Sequence, residues 1–165
     1  MHAVGGLDQA PYIAVVGPGD ATTSEAKVAE ELGALLAESG CLVFCGGLGG
    51  VMEAACRGVR SRGGVSVGFL PGSDRAEGNA FLSISLPTGL GEMRNALLVR
   101  SVDAVVSVGG SWGTLSEVAL SMRLGKPTFA IGGWDVSAAR GEARPRRVDS
   151  PREAVSLVVR EISQR

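Results

Sequence analysis

The sequence predicts an α/β domain, a three-layer sandwich in which a mainly parallel sheet of six or seven strands is covered by helices on both faces. Short apolar runs alternate along the chain with longer segments of helical periodicity, and a strand–helix–strand order makes right-handed crossovers and parallel strands. Runs such as Ala104-Val105-Val106 are apolar at every position, as a strand covered on both faces requires. The length of 165 residues fits one domain spanning 1–165.

The individual elements follow from these runs and from helix-capping patterns. Strands are expected at Tyr12–Val16, Leu42–Phe44, Val65–Phe69, Phe81–Leu86, Ala104–Val108 and Thr128–Ile131. Helices are expected at about Ser24–Ser39, Val51–Arg62, Gly91–Ser101 and Leu115–Leu124, with a last one from Pro151. Thr22 and Glu25 have the spacing of a capping box, and so do Ser150 and Glu153. Residues 134–147 show no period and predict an irregular, arginine-rich loop.

Scarce residue types exclude several chemistries. The single histidine, His2, falls in residues 1–10, which we expect to be a disordered tail. A Ser-His-Asp hydrolase, a Cys-His protease and a histidine-ligated zinc enzyme are therefore disfavoured, and no metal site is expected. The two lysines, Lys27 on a surface helix and Lys126 between glycine and proline, are not placed for a Schiff base. Pyridoxal-phosphate chemistry is disfavoured as well.

Charge and hydropathy restrict the partners. The net charge of −1 makes nucleic acid a poor partner. No apolar stretch reaches the ~18–20 residues of a membrane span and no signal peptide opens the chain, so we expect a cytoplasmic protein without membrane contact. Cys41, Cys45 and Cys56 are odd in number and lack a CxxC pattern, which favours buried, reduced thiols. Whether any of them reaches a ligand stays open.

Glycine is the most informative residue type, with 25 of 165 positions, roughly twice the usual share of ~7%. Three glycine-rich loops, Gly17–Asp20, Gly46–Gly50 and Gly109–Thr114, each follow a predicted strand. Loops at the carboxyl ends of parallel strands meet at one edge of the sheet, where amides and helix N-termini bind anions such as phosphate. The alternative is that these glycines only form tight turns and allow close helix–sheet packing.

Two common phosphate motifs are absent. A dinucleotide fingerprint needs a glycine where Thr22 stands and an acid at the end of the second strand, where Cys45-Gly46 stand. The P-loop pattern does not occur either. The ligand is thus expected to be a mononucleotide or another phosphorylated small molecule rather than NAD or magnesium-bound ATP.

Two charged residues are candidates for contacts to that ligand. Glu117 completes a Thr114-x-x-Glu capping box, which needs no function, but a carboxylate in the first turn beside an anion-binding loop can equally face the ligand. Arg94 opens the preceding helix, where it is either a solvated surface residue or part of the same cleft. The residue pattern alone leaves both alternatives open.

Three motifs together resemble one known family. Gly109-Gly110-Ser111-Trp112-Gly113-Thr114-Leu115-Ser116-Glu117 resembles the Pro-Gly-Gly-x-Gly-Thr-x-x-Glu signature of the LOG-like Rossmann family. Met93-Arg94-Asn95-Ala96 is similar to that family's Met-His-Glu-Arg-Lys motif, and the segment from Gly46 to Met52 is similar to its second glycine loop. The likeness extends from about Tyr12 to Gly132, in the same order. The family is often mislabelled as lysine decarboxylase, an activity that we do not expect here.

The resemblance implies a Rossmann-like nucleotide-binding domain, a homodimer or dimer of dimers, and a ligand site at the carboxyl edge of the sheet. The best-known members hydrolyse the N-glycosidic bond of cytokinin riboside 5′-monophosphates to base and ribose 5-phosphate. Carried over to this chain, Arg94 and Glu117 would be the catalytic pair. The ligand-binding residues would be Gly17, Gly46, Gly47, Asn95, Gly109, Gly110, Ser111, Trp112, Gly113 and Thr114.

Two departures from the family pattern point to a second function. Val108 precedes the two glycines where the signature has proline, and Asn95 stands in place of the motif lysine. These variants look more like the branch of molybdenum-cofactor carrier proteins, which bind a phosphorylated pterin without turning it over. The leading expectation is a protein that binds a 5′-phosphorylated nucleotide-like ligand at the glycine-rich loops, with hydrolysis of nucleoside monophosphates as the activity it would have and no cofactor required. The alternative is carriage of the molybdenum cofactor as cargo without turnover. The specificity for a base or a pterin is not predicted.

Overall fold

The computed structural model of the chain describes residues 6–7, 9–137 and 139–164. His2 and most of the predicted N-terminal tail lie outside these residues. The described part contains seven strands: β1 (Tyr12–Val16), β2 (Leu42–Cys45), β3 (Ser66–Leu70), β4 (Ile84–Pro87), β5 (Ala104–Val108), β6 (Thr128–Ile131) and β7 (Arg146–Arg147). Its α-helices are α1 (Thr23–Glu38), α2 (Val51–Ser61), α3 (Arg94–Arg100), α4 (Trp112–Arg123) and α5 (Pro151–Ile162).

All seven strands form one parallel sheet in the order β4-β3-β2-β1-β5-β6-β7. Successive residues of β1 point to opposite faces, so Ile13 and Val15 belong to a core shared with α1, α2 and α5. Ala14 and Val16 belong to the second core, on the side of α3 and α4. Helices therefore cover both faces, and the predicted three-layer, Rossmann-like α/β class is confirmed. Within the residues described, no helix is long and apolar enough to span a bilayer.

Several predictions about individual elements were wrong for local reasons. The helix expected from about Gly91 is a 3-10 turn over Gly91–Met93 and becomes α-helical only at Arg94. The fourth strand begins at Ile84 instead of Phe81, because the Asn79 side chain accepts from the Phe81 amide and donates to Leu48 O, which holds this stretch as a loop. The fourth helix begins at Trp112 instead of Leu115, since Ser111 caps it. The expected irregular segment 134–147 includes the short edge strand β7.

The two predicted capping boxes had different outcomes. Thr22 Oγ1 accepts from the Glu25 amide at 3.1 Å and Glu25 Oε2 accepts from the Thr22 amide at 2.8 Å, so the first box is confirmed. Ser150 does cap α5 through the Glu153 amide. The Glu153 carboxylate, however, accepts from the Asp149 amide instead of the Ser150 amide, so the second box is incomplete.

Two glycines bring α1 and α2 into backbone contact. A Cβ on Gly58 of α2 would overlap Glu30 O of α1, and a Cβ on Gly33 of α1 would overlap Ala55 O of α2. The two helices therefore approach each other more closely than side chains would permit. This contact fixes the start of α2, and with it the glycine loop that follows β2, against the rest of the α1 layer.

Gly58→Ala should destabilise the protein by about 1–3 kcal/mol, because the methyl group forces two packed helices apart. The matched control is Gly113→Ala, also within a helix, where the nearest atom to an added Cβ is 3.8 Å away. Urea unfolding and thermal denaturation measure the difference; each kcal/mol corresponds to a Tm change of about 2–4 °C for a chain of this size. Equal stability of the two variants would contradict the close-contact explanation.

Candidate functional site

The glycine loops that follow β1, β2 and β5 share the carboxyl edge of the sheet. Strand order reverses at β1, since β2, β3 and β4 lie on one side of it and β5, β6 and β7 on the other. In open α/β sheets this reversal leaves a crevice at the carboxyl ends of the two adjacent central strands. Gly17 follows β1 and Gly109 follows β5, so both loops border this crevice.

Arg94 is buried at the start of α3, with only 8% of its surface exposed. Its Nε donates to Phe69 O at 2.7 Å, Nη2 donates to Gly46 O at 3.4 Å, and Nη1 donates to Asn95 Oδ1 at 3.1 Å. The guanidinium thus joins α3 to the ends of β2 and β3. Arg94 is not a solvated surface residue, and its first role is to shape this edge of the sheet.

Asn95 extends the same network to α4. Its Nδ2 donates to Ser116 Oγ at 3.0 Å, and Ser116 Oγ donates to Gly113 O at 2.7 Å. A continuous chain of hydrogen bonds therefore runs from Arg94 through Asn95 to the first turn of α4. Asn95 was expected to touch the ligand; the structure places it between two helices, and a ligand contact stays a prediction.

Glu117 is buried on α4, with 7% of its surface exposed. Among the described residues, no hydrogen bond or ion pair reaches its carboxyl group. Burial raises the pKa of Glu117 to about 8, with the positive charge of Arg94 acting in the opposite direction. The capping-box alternative was wrong, because Ser111 is the N-cap and Glu117 lies beyond the first turn.

The N-terminus of α4 has two amides that its own cap does not use. Ser111 Oγ accepts from the Thr114 amide at 3.3 Å and also contacts Thr114 Oγ1 at 2.9 Å. Ser111 O accepts from the Leu115 amide. Within the described chain, the amides of Trp112 and Gly113 have no acceptor, since they precede the first intrahelical bond. Together with the helix dipole they form an anion-binding position.

Five of the predicted ligand-binding glycines are required by packing. A Cβ would lie 2.5 Å from Val108 O at Gly17, 2.9 Å from Arg94 Nη2 at Gly46, and 2.5 Å from Leu70 Cδ2 at Gly47. At Gly109 it would overlap the Glu25 carboxylate, and at Gly110 it would lie 2.6 Å from Trp134 Cδ1. Packing alone therefore explains these glycines, and their contacts to a ligand stay predictions.

Three other glycines at this edge are not required by the protein itself. Gly19, Gly49 and Gly113 have negative φ angles or extended backbone, and an added Cβ would meet nothing closer than 3.6 Å. At these positions neither backbone conformation nor packing demands a glycine, and the missing side chain leaves room for a ligand to approach the backbone. Gly113 is the most informative of them, because it also carries one of the two free amides of α4.

Two features of the site were missed by the sequence reasoning. Cys45 and Cys56 are buried thiols with their sulfur atoms 3.6 Å apart; their hydrogen bond lowers the pKa of Cys56 and, together with burial, raises that of Cys45. The Glu117 carboxyl is among the smaller causes that raise the pKa of Cys45, which places the thiol pair beside the site.

The second feature is Trp134, which lies against Gly110. It belongs to the segment 134–147, in which the sequence shows no periodic pattern. Within the described residues, no group of three or more His, Cys, Asp or Glu side chains could hold a metal ion.

Comparisons with known proteins agree with this architecture. An uncharacterized protein of Archaeoglobus fulgidus is 42% identical over 119 residues, which are 72% of this chain and 78% of the relative. The molybdenum cofactor binding protein from the phototrophic bacterium Rippkaea orientalis is 33% identical, with a TM-score of 0.88, over 93% of this chain and 98% of that one. The Moco carrier protein from Chlamydomonas reinhardtii is 30% identical, with a TM-score of 0.84, over 95% and 100% of the two chains.

The family model for the SLOG cluster4 family matches residues 10–155, which include all seven strands and the whole carboxyl edge described above. The predicted resemblance to LOG-like proteins, and to their carrier branch, is confirmed by this match and by the similarity to the two molybdenum-cofactor proteins. The chain therefore belongs to the SLOG cluster4 family.

Proposed function

We propose that this protein binds a phosphorylated pterin, the molybdenum cofactor, and carries it without turning it over. Similarity to molybdenum cofactor binding and carrier proteins over nearly the whole chain supports the choice of ligand. The phosphate would accept from the free amides of Trp112 and Gly113 at the N-terminus of α4, and Gly113 leaves room for its close approach. The single observation that carries the proposal is Glu117: the residue is 7% exposed, and its carboxyl group forms no hydrogen bond among the described residues while its oxygens stay accessible from outside.

The protonation state of Glu117 favours carriage over hydrolysis. With a pKa of about 8, the carboxyl is mainly neutral at pH 7 and does not repel a phosphorylated ligand. Cleavage of an N-glycosidic bond passes through an oxocarbenium-like state that an ionised carboxylate stabilises. A neutral carboxylic acid supplies no such charge, so the free protein at neutral pH is in a form suited to binding.

Phosphoribohydrolase activity on nucleoside 5′-monophosphates is the second candidate. The observation in its favour is the presence of Arg94 and Glu117 at the positions that the family signature assigns to catalysis, both buried at the same edge of the sheet. In that case Glu117 would have to ionise in the substrate complex, with Arg94 holding the substrate in place. The two candidates therefore require opposite protonation states of the same carboxyl group.

Gly113→Ala should weaken the binding of neopterin monophosphate and of AMP at least tenfold, because the methyl group lies where the phosphate must approach. The free variant should be as stable as the wild type or up to about 1 kcal/mol more stable, since alanine favours a helix over glycine. Isothermal titration measures the affinity, and thermal shifts at a fixed ligand excess provide an independent measurement.

The same samples distinguish the two functions. Release of free base from AMP or isopentenyl-AMP, lost in Glu117→Gln, would establish the hydrolase and overturn the carrier proposal. Tight binding of the phosphorylated pterin with no base released supports the carrier. Unchanged affinity in Gly113→Ala would contradict the proposed binding of the phosphate by the α4 amides.

Affinity for neopterin monophosphate should fall as the pH rises through about 8, because Glu117 then becomes a buried anion near a phosphate. The second ionisation of the phosphate has a pKa near 6, so it is about nine-tenths complete at pH 7. Glu117→Gln should lack the fall in affinity that this carboxyl causes, and the ratio of the two affinities at each pH removes any titration of the ligand itself. A hydrolase that needs the carboxylate would instead show kcat/KM rising over this range.

The stability of the free protein is an independent control for this titration. The folded-state pKa of Glu117, about 8, lies above the ordinary value of 4.5, so the folded state holds this proton more tightly than the unfolded state. The resulting stabilisation is complete below about pH 4.5 and is lost as the pH rises to about 8. The Tm of Glu117→Gln minus the Tm of the wild type, measured at the same pH, should therefore increase between pH 5 and pH 8.5.

The proposed assembly is a homodimer formed through α3. Met93 is 75% exposed, Leu97 is 40% exposed, and Leu90 just before α3 is 47% exposed. The uncovered apolar surface of α3 is limited to this side of the helix, because Leu98 and Val99 belong to the core. A second copy of the chain would cover this surface by an isologous contact.

Light scattering at micromolar concentration should give the mass of a dimer, or of a dimer of dimers, for the wild type. Leu97→Arg should shift the protein to a monomer, because it places a charge within the proposed contact. Ile84→Arg, at an exposed apolar position on the edge strand β4, is the matched control and should leave the mass unchanged. A monomeric wild type would count against the assembly.

A further inference from the structure

Both tryptophans of the chain lie together at the mouth of the candidate site. Trp112 and Trp134 have their ring centroids 5.0 Å apart, with the ring planes inclined by 41°. Trp112 is 76% exposed and Trp134 is 40% exposed. The other five aromatic residues are buried or half-buried, so this pair accounts for the exposed aromatic surface of the described chain.

Trp134 is held in place by the loop that it contacts. Its Nε1 donates to Ser111 O at 3.1 Å, and Trp134 O accepts from Arg147 Nη1 at 3.0 Å. Gly110 lies directly against the indole, because a Cβ there would be 2.6 Å from Trp134 Cδ1. The indole of Trp134 can occupy this position only because Gly110 has no side chain. From there it contacts one side of the Trp112 ring.

Trp112 links this pair to the anion-binding position. It is the first residue of α4, and its amide is one of the two that the cap leaves free. Helical side chains lean towards the N-terminus, so the indole of Trp112 projects beside the position where a phosphate would bind. Two exposed aromatic rings in contact form a contiguous apolar surface, which is a feature of ligand-binding and interaction sites.

We propose that Trp112, supported by Trp134, stacks against the planar heteroaromatic ring of the ligand whose phosphate binds at the N-terminus of α4. The inference rests on the proposed function, because it needs a phosphate at that position. Aromatic side chains stack on any flat π-system with little regard to its substituents. A nucleobase and a pterin share this chemistry, and different ligands distinguish them in the experiment.

The test compares ribose 5-phosphate, AMP and neopterin monophosphate on the wild type, Trp112→Ala and Trp112→Phe. Isothermal titration gives the affinities, and tryptophan fluorescence reports on this pair alone, since the chain contains two tryptophans. Trp112→Ala should bind the ring-bearing ligand about tenfold or more weakly, in line with measured base–aromatic stacking. Its affinity for ribose 5-phosphate should not change, and Trp112→Phe should keep most of the ring-dependent affinity.

Each outcome separates the inference from the proposed function. If neither ribose 5-phosphate nor a ring-bearing ligand binds the wild type, the phosphate site itself is wrong. If all three bind and Trp112→Ala weakens none of them, the stacking proposal is overturned while the phosphate site stands. If Trp112→Ala instead changes the mass measured by light scattering, the indole belongs to an interface between copies, which also overturns the proposal. A preference for AMP or for the pterin identifies the ring.

Discussion

The buried guanidinium of Arg94 is the interaction on which the candidate site depends. It brings together three parts of the chain that are distant in sequence: the end of β3 at Phe69, the glycine loop at Gly46, and α3 itself. Asn95 then carries the same connection to the first turn of α4 through Ser116. A buried positive charge is tolerated only where it is hydrogen-bonded, and here two backbone carbonyls and an amide oxygen meet that demand. The positive charge of Arg94 lowers the pKa of Glu117, but no ion pair joins the two side chains. The carboxyl group of Glu117 can therefore contact a ligand.

This arrangement separates residues that build the site from residues that are left open to a ligand. Three of the five N–H groups of Arg94 and one of the two side-chain N–H groups of Asn95 are used on the protein itself. Gly17, Gly46, Gly47, Gly109 and Gly110 are explained by close packing, with a positive φ angle in addition at Gly47 and Gly109. The groups on and beside α4 that stay unused are the amides of Trp112 and Gly113, the carboxyl group of Glu117, and the face of an exposed indole. These groups lie on or beside the first two turns of α4, where free amides and the helix dipole stabilise a bound anion most strongly.

Much of the fold could be predicted from the sequence because its signals are local. A run such as Ala104-Val105-Val106 that is apolar at every position predicts a strand buried on both faces. Thr22 with Glu25 caps a helix without help from the rest of the chain. The start of α4 was misplaced because glycine at position 113 is unfavourable in a helix, and that cost is accepted only if the residue serves another purpose. Trp134 could not be found from its own segment, since its role depends on Gly110, twenty-four positions earlier, which has no side chain to signal the contact.

The question of carrier or enzyme is decided by whether the ligand keeps Glu117 neutral or ionises it. A phosphate held by the two α4 amides adds negative charge close to a carboxyl group that burial has already made reluctant to ionise, and both effects favour the protonated form. Only Arg94 acts against them, and three of its five N–H groups are held by carbonyl and amide oxygens, so it cannot approach Glu117 more closely without losing those bonds. To ionise Glu117, a substrate would have to bring a positive charge or several hydrogen-bond donors of its own, and the ribose hydroxyls of a nucleoside monophosphate are such donors. A ligand that contacts the site through its phosphate and a planar ring alone would leave Glu117 protonated. The protonation state of this carboxyl group in the complex therefore separates the two proposed functions.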